Sequence, residues 1–60
     1  MATDLMAALT AIGEGVRRST TERDHLIRDA VAAGHSQREV ARAVGLSHTA
    51  VRQIVARTPG

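Results

Sequence analysis

The 60-residue chain has no cysteine, no phenylalanine, tyrosine or tryptophan, and no lysine. Without cysteine there is no disulfide and no thiolate metal site to staple a small fold. Without aromatics the core lacks the side chains of largest buried area, and eleven alanines make up much of the apolar content. Alanine buries little surface, so a hydrophobic term of about 25 cal/mol per Å² has little to act on. A domain this short is marginal on its own core. Self-association is the remaining common remedy, so a homodimer is expected. No apolar run approaches the ~20 residues of a membrane span, and Asp4 stands where a secretory leader would carry basic residues. A cytoplasmic chain with no membrane partner is expected.

The positive charge is carried by eight arginines, and it is unevenly spread. Residues 1–35 hold four arginines against five acids, a net of −1. Residues 36–60 hold Arg38, Arg42, Arg52 and Arg57 against Glu39 alone, a net of +3. Such asymmetry points to an anion-binding second half, with a solvated arginine face as the plainer explanation.

Helix signals run along the chain. Thr3 is a plausible N-cap, with Asp4 in the first turn where the helix dipole favours an anion. Leu5, Leu9, Ile12 and Val16 follow at spacings of four, three and four, a heptad seam with Met6 beside it. Gly13 and Gly15 weaken it. In phase with that seam come Leu26, Ala30 and Ala33. The phase predicts one long helix over about 3–33, bent near Gly15–Ser19. Ser19 with Glu22 fits a capping box, which instead favours two helices with a break there. Leu26, Ile27, Ala30 and Val31 form an amphipathic stripe, and Gly34 suits its C-terminus. Ser36 with Glu39 makes a second capping box, opening a short helix over roughly 37–44. Ser47 caps a last helix over roughly 48–57, ended by Thr58-Pro59-Gly60.

Gly45 falls between those last two helices. A glycine costs a helix interior about 1 kcal/mol, but a tight turn between helices needs φ > 0, which glycine adopts freely. Val40 and Val44 then put one face of the short helix into a core. Ala41 must be small where the helices cross, Leu46 plugs the turn, and Val51, Ile54 and Val55 face back. This arrangement resembles the bacterial helix-turn-helix motif over residues 37–56. Seven positions agree at fixed spacing: Val40, Ala41, Val44, Gly45, Leu46, Val51 and Ile54. Within that family the chain is similar to small stand-alone regulators and to the DNA-binding ends of resolvase-type proteins. The resemblance implies an all-α fold: a trihelical helix-turn-helix core over 20–60, with an N-terminal helical extension over 1–19. A plain helical hairpin with no ligand would use the same caps and glycine. Against it stands the outward face of the last helix, since residues 47–57 contain no acid, whereas a merely solvated helix favours Glu and Lys in i, i+4 pairs.

The resemblance implies that the last helix enters the major groove of double-stranded DNA. At about 100° per residue, His48, Thr49, Arg52 and Gln53 face outward and are the expected base-reading residues. Arg52 suits guanine O6 and N7, and Gln53 suits adenine N6 and N7. Ser36, Gln37, Arg38, Ser47 and Arg57 are the expected phosphate contacts, helped by free N–H groups at helix N-termini. Arg42 either joins them or pairs with Glu39. Protonation of His48 at acidic pH would strengthen a phosphate contact.

His25, His35 and His48 have no cysteine and no second histidine four residues away, so no metal is expected. Each Ser, His and Asp has a cap, turn or surface explanation, and a chain this short leaves little room for a pocket of ~300–1,000 Å³. Neither enzyme activity, cofactor nor small-molecule effector is expected. The seam of Leu5, Leu9, Ile12 and Val16 either pairs with a second copy or folds back as a fourth helix. Dimerisation is the expectation taken forward, with two heads on an inverted repeat spaced by about one turn, ~34 Å, or a multiple. The function expected is a sequence-specific, nucleoid-associated transcriptional regulator, most simply a repressor. An architectural or accessory DNA-binding protein and a protein-binding helical adaptor are the alternatives.

Overall fold

The computed structural model describes residues 4–57. Among them the chain is all-α: α1 (Leu5–Gly13), α2 (Thr20–Ala32), α3 (Gln37–Val44) and α4 (His48–Ala56). Four side chains start the four helices. Asp4 accepts from the Ala7 N–H at 3.0 Å, Ser19 from Glu22 at 3.1 Å, Ser36 from Glu39 at 3.0 Å and Ser47 from Ala50 at 3.1 Å. Each satisfies one of the N–H groups that a helix start leaves without a partner. Asp4 is therefore the cap of α1 and not a first-turn residue; the expected cap, Thr3, lies outside the described residues, as do Thr58, Pro59 and Gly60. Both capping boxes are half made. The Glu22 carboxylate meets Arg18 at 3.4 Å and that of Glu39 meets His35 at 3.1 Å, instead of turning back to the cap.

The single long helix expected over 3–33 does not form. α1 stops at Gly13; Gly15 takes φ +114°, and the Val16 N–H reaches back to the Ala11 carbonyl at 2.9 Å. The chain then runs non-helically to Ser19, which starts α2 afresh. The phase shared by Leu5 and Leu26 is a coincidence of spacing, and Ala33, which would extend it, is exposed.

The seam also has a different partner from the one expected. Leu9 is 0% exposed within a single chain. It packs in one apolar core with Ile27 and Ala30 of α2, Val40, Ala41 and Val44 of α3, and Val51 and Ile54 of α4. Leu5, Met6 and Ile12 lie half-buried against that core, while Val16, beyond the helix, is 53% exposed. The described part of segment 1–19 is thus a fourth helix closing the core over 20–57, not a free arm. The stripe that would zip to a second copy is used at home because folding back needs no second molecule. α1 packs on α2 and α3, and α4 packs on the same two helices.

Small residues allow this close packing. A Cβ built on Gly13 would overlap the Ala43 carbonyl oxygen and stand 3.2 Å from the Val44 carbonyl carbon. The end of α1 therefore lies backbone to backbone on the end of α3. Directly beside it, Gly45 takes φ 77°, ψ 26°, the left-handed conformation that ends α3. The Gly45 and Leu46 N–H groups both donate to the Ala41 carbonyl, at 3.0 and 3.1 Å. Leu46 and Ser47 complete a three-residue turn into α4.

Gly13 offers a test with opposite signs. Helix propensity alone favours alanine there by about 1 kcal/mol. A backbone overlap costs more, about 1–3 kcal/mol for a site that must shift. Gly13→Ala is expected to lower the melting temperature by roughly 4–8 °C per net kcal/mol, read by circular dichroism. A rise would show that α1 and α3 do not meet this closely.

Candidate nucleic-acid interface

Nine residues are too few for a stable isolated helix, so α4 exists because its inner side is packed. Val51 and Ile54 are buried, and Ala50 and Val55 are half-buried. The opposite side is fully turned to solvent: His48, Thr49, Arg52 and Gln53 are all exposed. These four expected base-reading residues share one face, at the helix spacing of i, i+1, i+4 and i+5. The apolar residues expected to support them divide as follows. Val40, Ala41, Val44, Val51 and Ile54 are buried, and Leu46, in the turn, is half-buried.

The expected phosphate residues stand near two helix starts. Ser36 and Ser47 are exposed and each has its Oγ occupied as an acceptor by the cap. A hydroxyl that accepts in this way still has its own O–H to donate. Arg38 and Arg57 are exposed, while Gln37 is half-buried and so less available than expected. The first-turn N–H groups of α3 and α4 lack intrahelical acceptors, and their partial positive charge favours an anion.

Charge pairing sharpens the asymmetry of the two halves. Arg18 pairs with Glu22 at 3.4 Å and Arg23 with Asp24 at 3.0 Å. In contrast, Arg38, Arg42, Arg52 and Arg57 form no ion pair among the described residues. The ion pair considered for Arg42 is absent because Glu39 faces His35 at 3.1 Å instead. The one acid of residues 36–57 is therefore already engaged, and the four guanidinium groups of that stretch are left without carboxylates.

Arg28 is a contributor that sequence reasoning does not identify. From α2 its Nε donates to the Ile54 carbonyl at 3.2 Å and its Nη2 to the Arg57 carbonyl at 2.8 Å. Its acceptors are backbone atoms 26 and 29 residues away, so no local pattern announces them. On sequence alone it is one more arginine among acids.

Compared with protein-family models, curated proteins and solved structures, the chain shows no match.

Ser47 separates the cap from the charge at the start of α4. Ser47→Ala is expected to cost about 1 kcal/mol of stability through loss of the cap. Ser47→Asp keeps the cap and is expected to melt within a few degrees of the parent, which chemical or thermal denaturation will check.

Proposed function

We propose that the chain is a helix-turn-helix protein that binds double-stranded DNA, with α3 and α4 as the motif and α4 as the recognition helix. One observation carries the reading. The exposed face of α4 presents His48, Thr49, Arg52 and Gln53 on a segment without acids, while the four arginines of residues 36–57 lack carboxylate partners among the described residues. Arginine and glutamine on such a face are the side chains that pair bidentately with guanine and adenine in the major groove. A DNA phosphate supplies the anion that the unpaired arginines lack.

In this reading Arg52 and Gln53 discriminate bases, helped by Thr49 and His48. Arg38, Arg57 and the two capping serines set the register on phosphates, which carry no sequence information themselves. Gly45 sets the angle between α3 and α4. The biological role proposed is a small transcriptional regulator that occupies its site and blocks other proteins there. Two copies on an inverted repeat fit this role, but their contact would lie outside Leu9. What the buried seam leaves open to a partner is Val16 with the half-buried Leu5, Met6 and Ile12.

Selection of bound sites from random duplex DNA tests the whole reading. It is expected to return a defined sequence, and a repeated half-site if two copies bind together. An Arg52→Ala, Gln53→Ala double variant removes two pairs worth roughly 1–3 kcal/mol each. It is expected to stay folded and bind the selected duplex roughly a hundredfold more weakly. Arg38→Ala should weaken all duplexes alike and lower the slope of log K against log salt by about 1. Ser47→Asp should weaken binding without loss of fold, because it puts a negative charge beside phosphate. Binding that ignores salt would mark the surface as a protein-binding one.

A further inference from the structure

We infer that Arg28 is a positioning residue for α4: it fixes the C-terminal end of the helix, while the Gly45 turn fixes the N-terminal end. The inference rests on the proposed function, in which α4 is the element that meets DNA. Arg28 stands on α2, where neither nearby acid pairs with it. Asp24 accepts from Arg23 at 3.0 Å, and Asp29 lies 3.6 Å from His25. The guanidinium instead crosses to α4 and donates to the carbonyls of Ile54 and Arg57. Both acceptors belong to the end of the helix, where carbonyls have no intrahelical donor and the dipole is negative.

A guanidinium is a planar fork, and two bonds to one helix end resist rolling and splaying together in a way one bond cannot. The effect on α4 is direct. Ile54 follows Arg52 and Gln53 immediately, so the peptide that carries the base-reading pair is held within two residues of its side chains. α4 packs on α2 and α3. The turn ties its start to α3, and Arg28 ties its end to α2. Bidentate base pairing tolerates little displacement, so an α4 whose end is held by apolar packing alone, as at Ile54, would lose reach at Arg52 and Gln53, while the phosphate contacts at the starts of α3 and α4 stay in place.

Two variants and two readouts test this. Arg28→Met keeps the aliphatic stem and removes the donors; Arg28→Lys keeps the charge but replaces the fork with a point donor. The probe is the duplex that the parent protein selects from random DNA, with a scrambled duplex beside it, at a temperature of about 10–20 °C where small domains are near maximal stability. Arg28→Met is expected to bind the selected duplex roughly tenfold more weakly and to discriminate less against the scrambled one. Arg28→Lys should fall between. Unchanged affinity in both variants overturns the inference. Weakening by the same factor on the selected and the scrambled duplex does so too, because Arg28 would then be a phosphate contact.

Amide exchange in the free protein supplies a readout independent of DNA. Faster exchange confined to the last turn of α4 in Arg28→Met supports the clamp. No change, or a uniform loss over all four helices, overturns it, the latter making Arg28 a stabiliser of the whole fold. If the parent selects no duplex, the function reading fails and the exchange pattern alone decides on Arg28.

Discussion

The contact between two glycines is the constraint on which the rest of the molecule depends. A Cβ on Gly45 would sit 3.6 Å from the Gly13 Cα, and Gly13 itself leaves no room for a side chain against α3. In a chain without aromatic residues, large side chains cannot fill the space between well-separated helices. The alternative is to bring backbones together, so that small side chains suffice. Dispersion falls off steeply with separation, and alanines and valines make a dense core only if helix axes lie close. Gly13 lets α1 descend onto α3, Ala41 and Ala30 keep the interior narrow, and Leu9 then reaches the centre with no solvent exposure. The same approach seats α1 beside the turn from which α4 departs.

The short elements were the most legible in the sequence. Ser36, Gly45 and Ser47 each encode a boundary through a local reason: a hydroxyl that caps, a left-handed residue, a second hydroxyl that caps. The bounds of α3 and α4 accordingly follow from spacing alone to within a residue. The fate of α1 was not legible in this way. Leu5, Leu9 and Ile12 define a stripe, and a stripe states that something apolar must cover it without stating what. A second chain and the chain's own core make identical demands on those positions. In the sequence Gly13 is only a weak point of the stripe, because its use is steric and involves Ala43 and Val44, about thirty residues away. Arg28 escaped for the same reason. Backbone carbonyls are present at every residue, so a side chain that uses them leaves no mark at the acceptor position.

Charge gains meaning through pairing. Net values of −1 and +3 for the two halves describe an average, and surface ion pairs count for little energetically. Their importance here is that they use up guanidinium groups. Arg18 and Arg23 are matched by acids, Arg28 by carbonyls, and Glu39 by a histidine. The arginines of α3 and α4 remain unmatched among the described residues. Positive charge free of local partners costs little to bring to a polyanion, because no existing pair must be broken first. The proposed DNA-binding face therefore coincides with most of the unspent positive charge; Arg17, ahead of α2, is the other arginine with neither an ion pair nor a carbonyl partner among the described residues.

Helices of eight and nine residues are unstable alone, so α3 and α4 hold their shape only as parts of the packed whole. That makes the order of the exposed face a property of the core. In the proposed DNA-binding reading, the entropy of arranging the backbone that carries His48, Thr49, Arg52 and Gln53 along one side is met when the chain folds, not on binding, and affinity would be diluted only by the fraction of molecules unfolded. A core substitution that leaves nine molecules in ten folded would change apparent affinity by about a tenth, however large its effect on stability. Changes that tilt α4 within a folded molecule have no such ceiling. Specificity in this small chain would thus be governed less by total stability than by the anchors at the two ends of α4, and DNA, by binding the folded form alone, would add to its stability in turn.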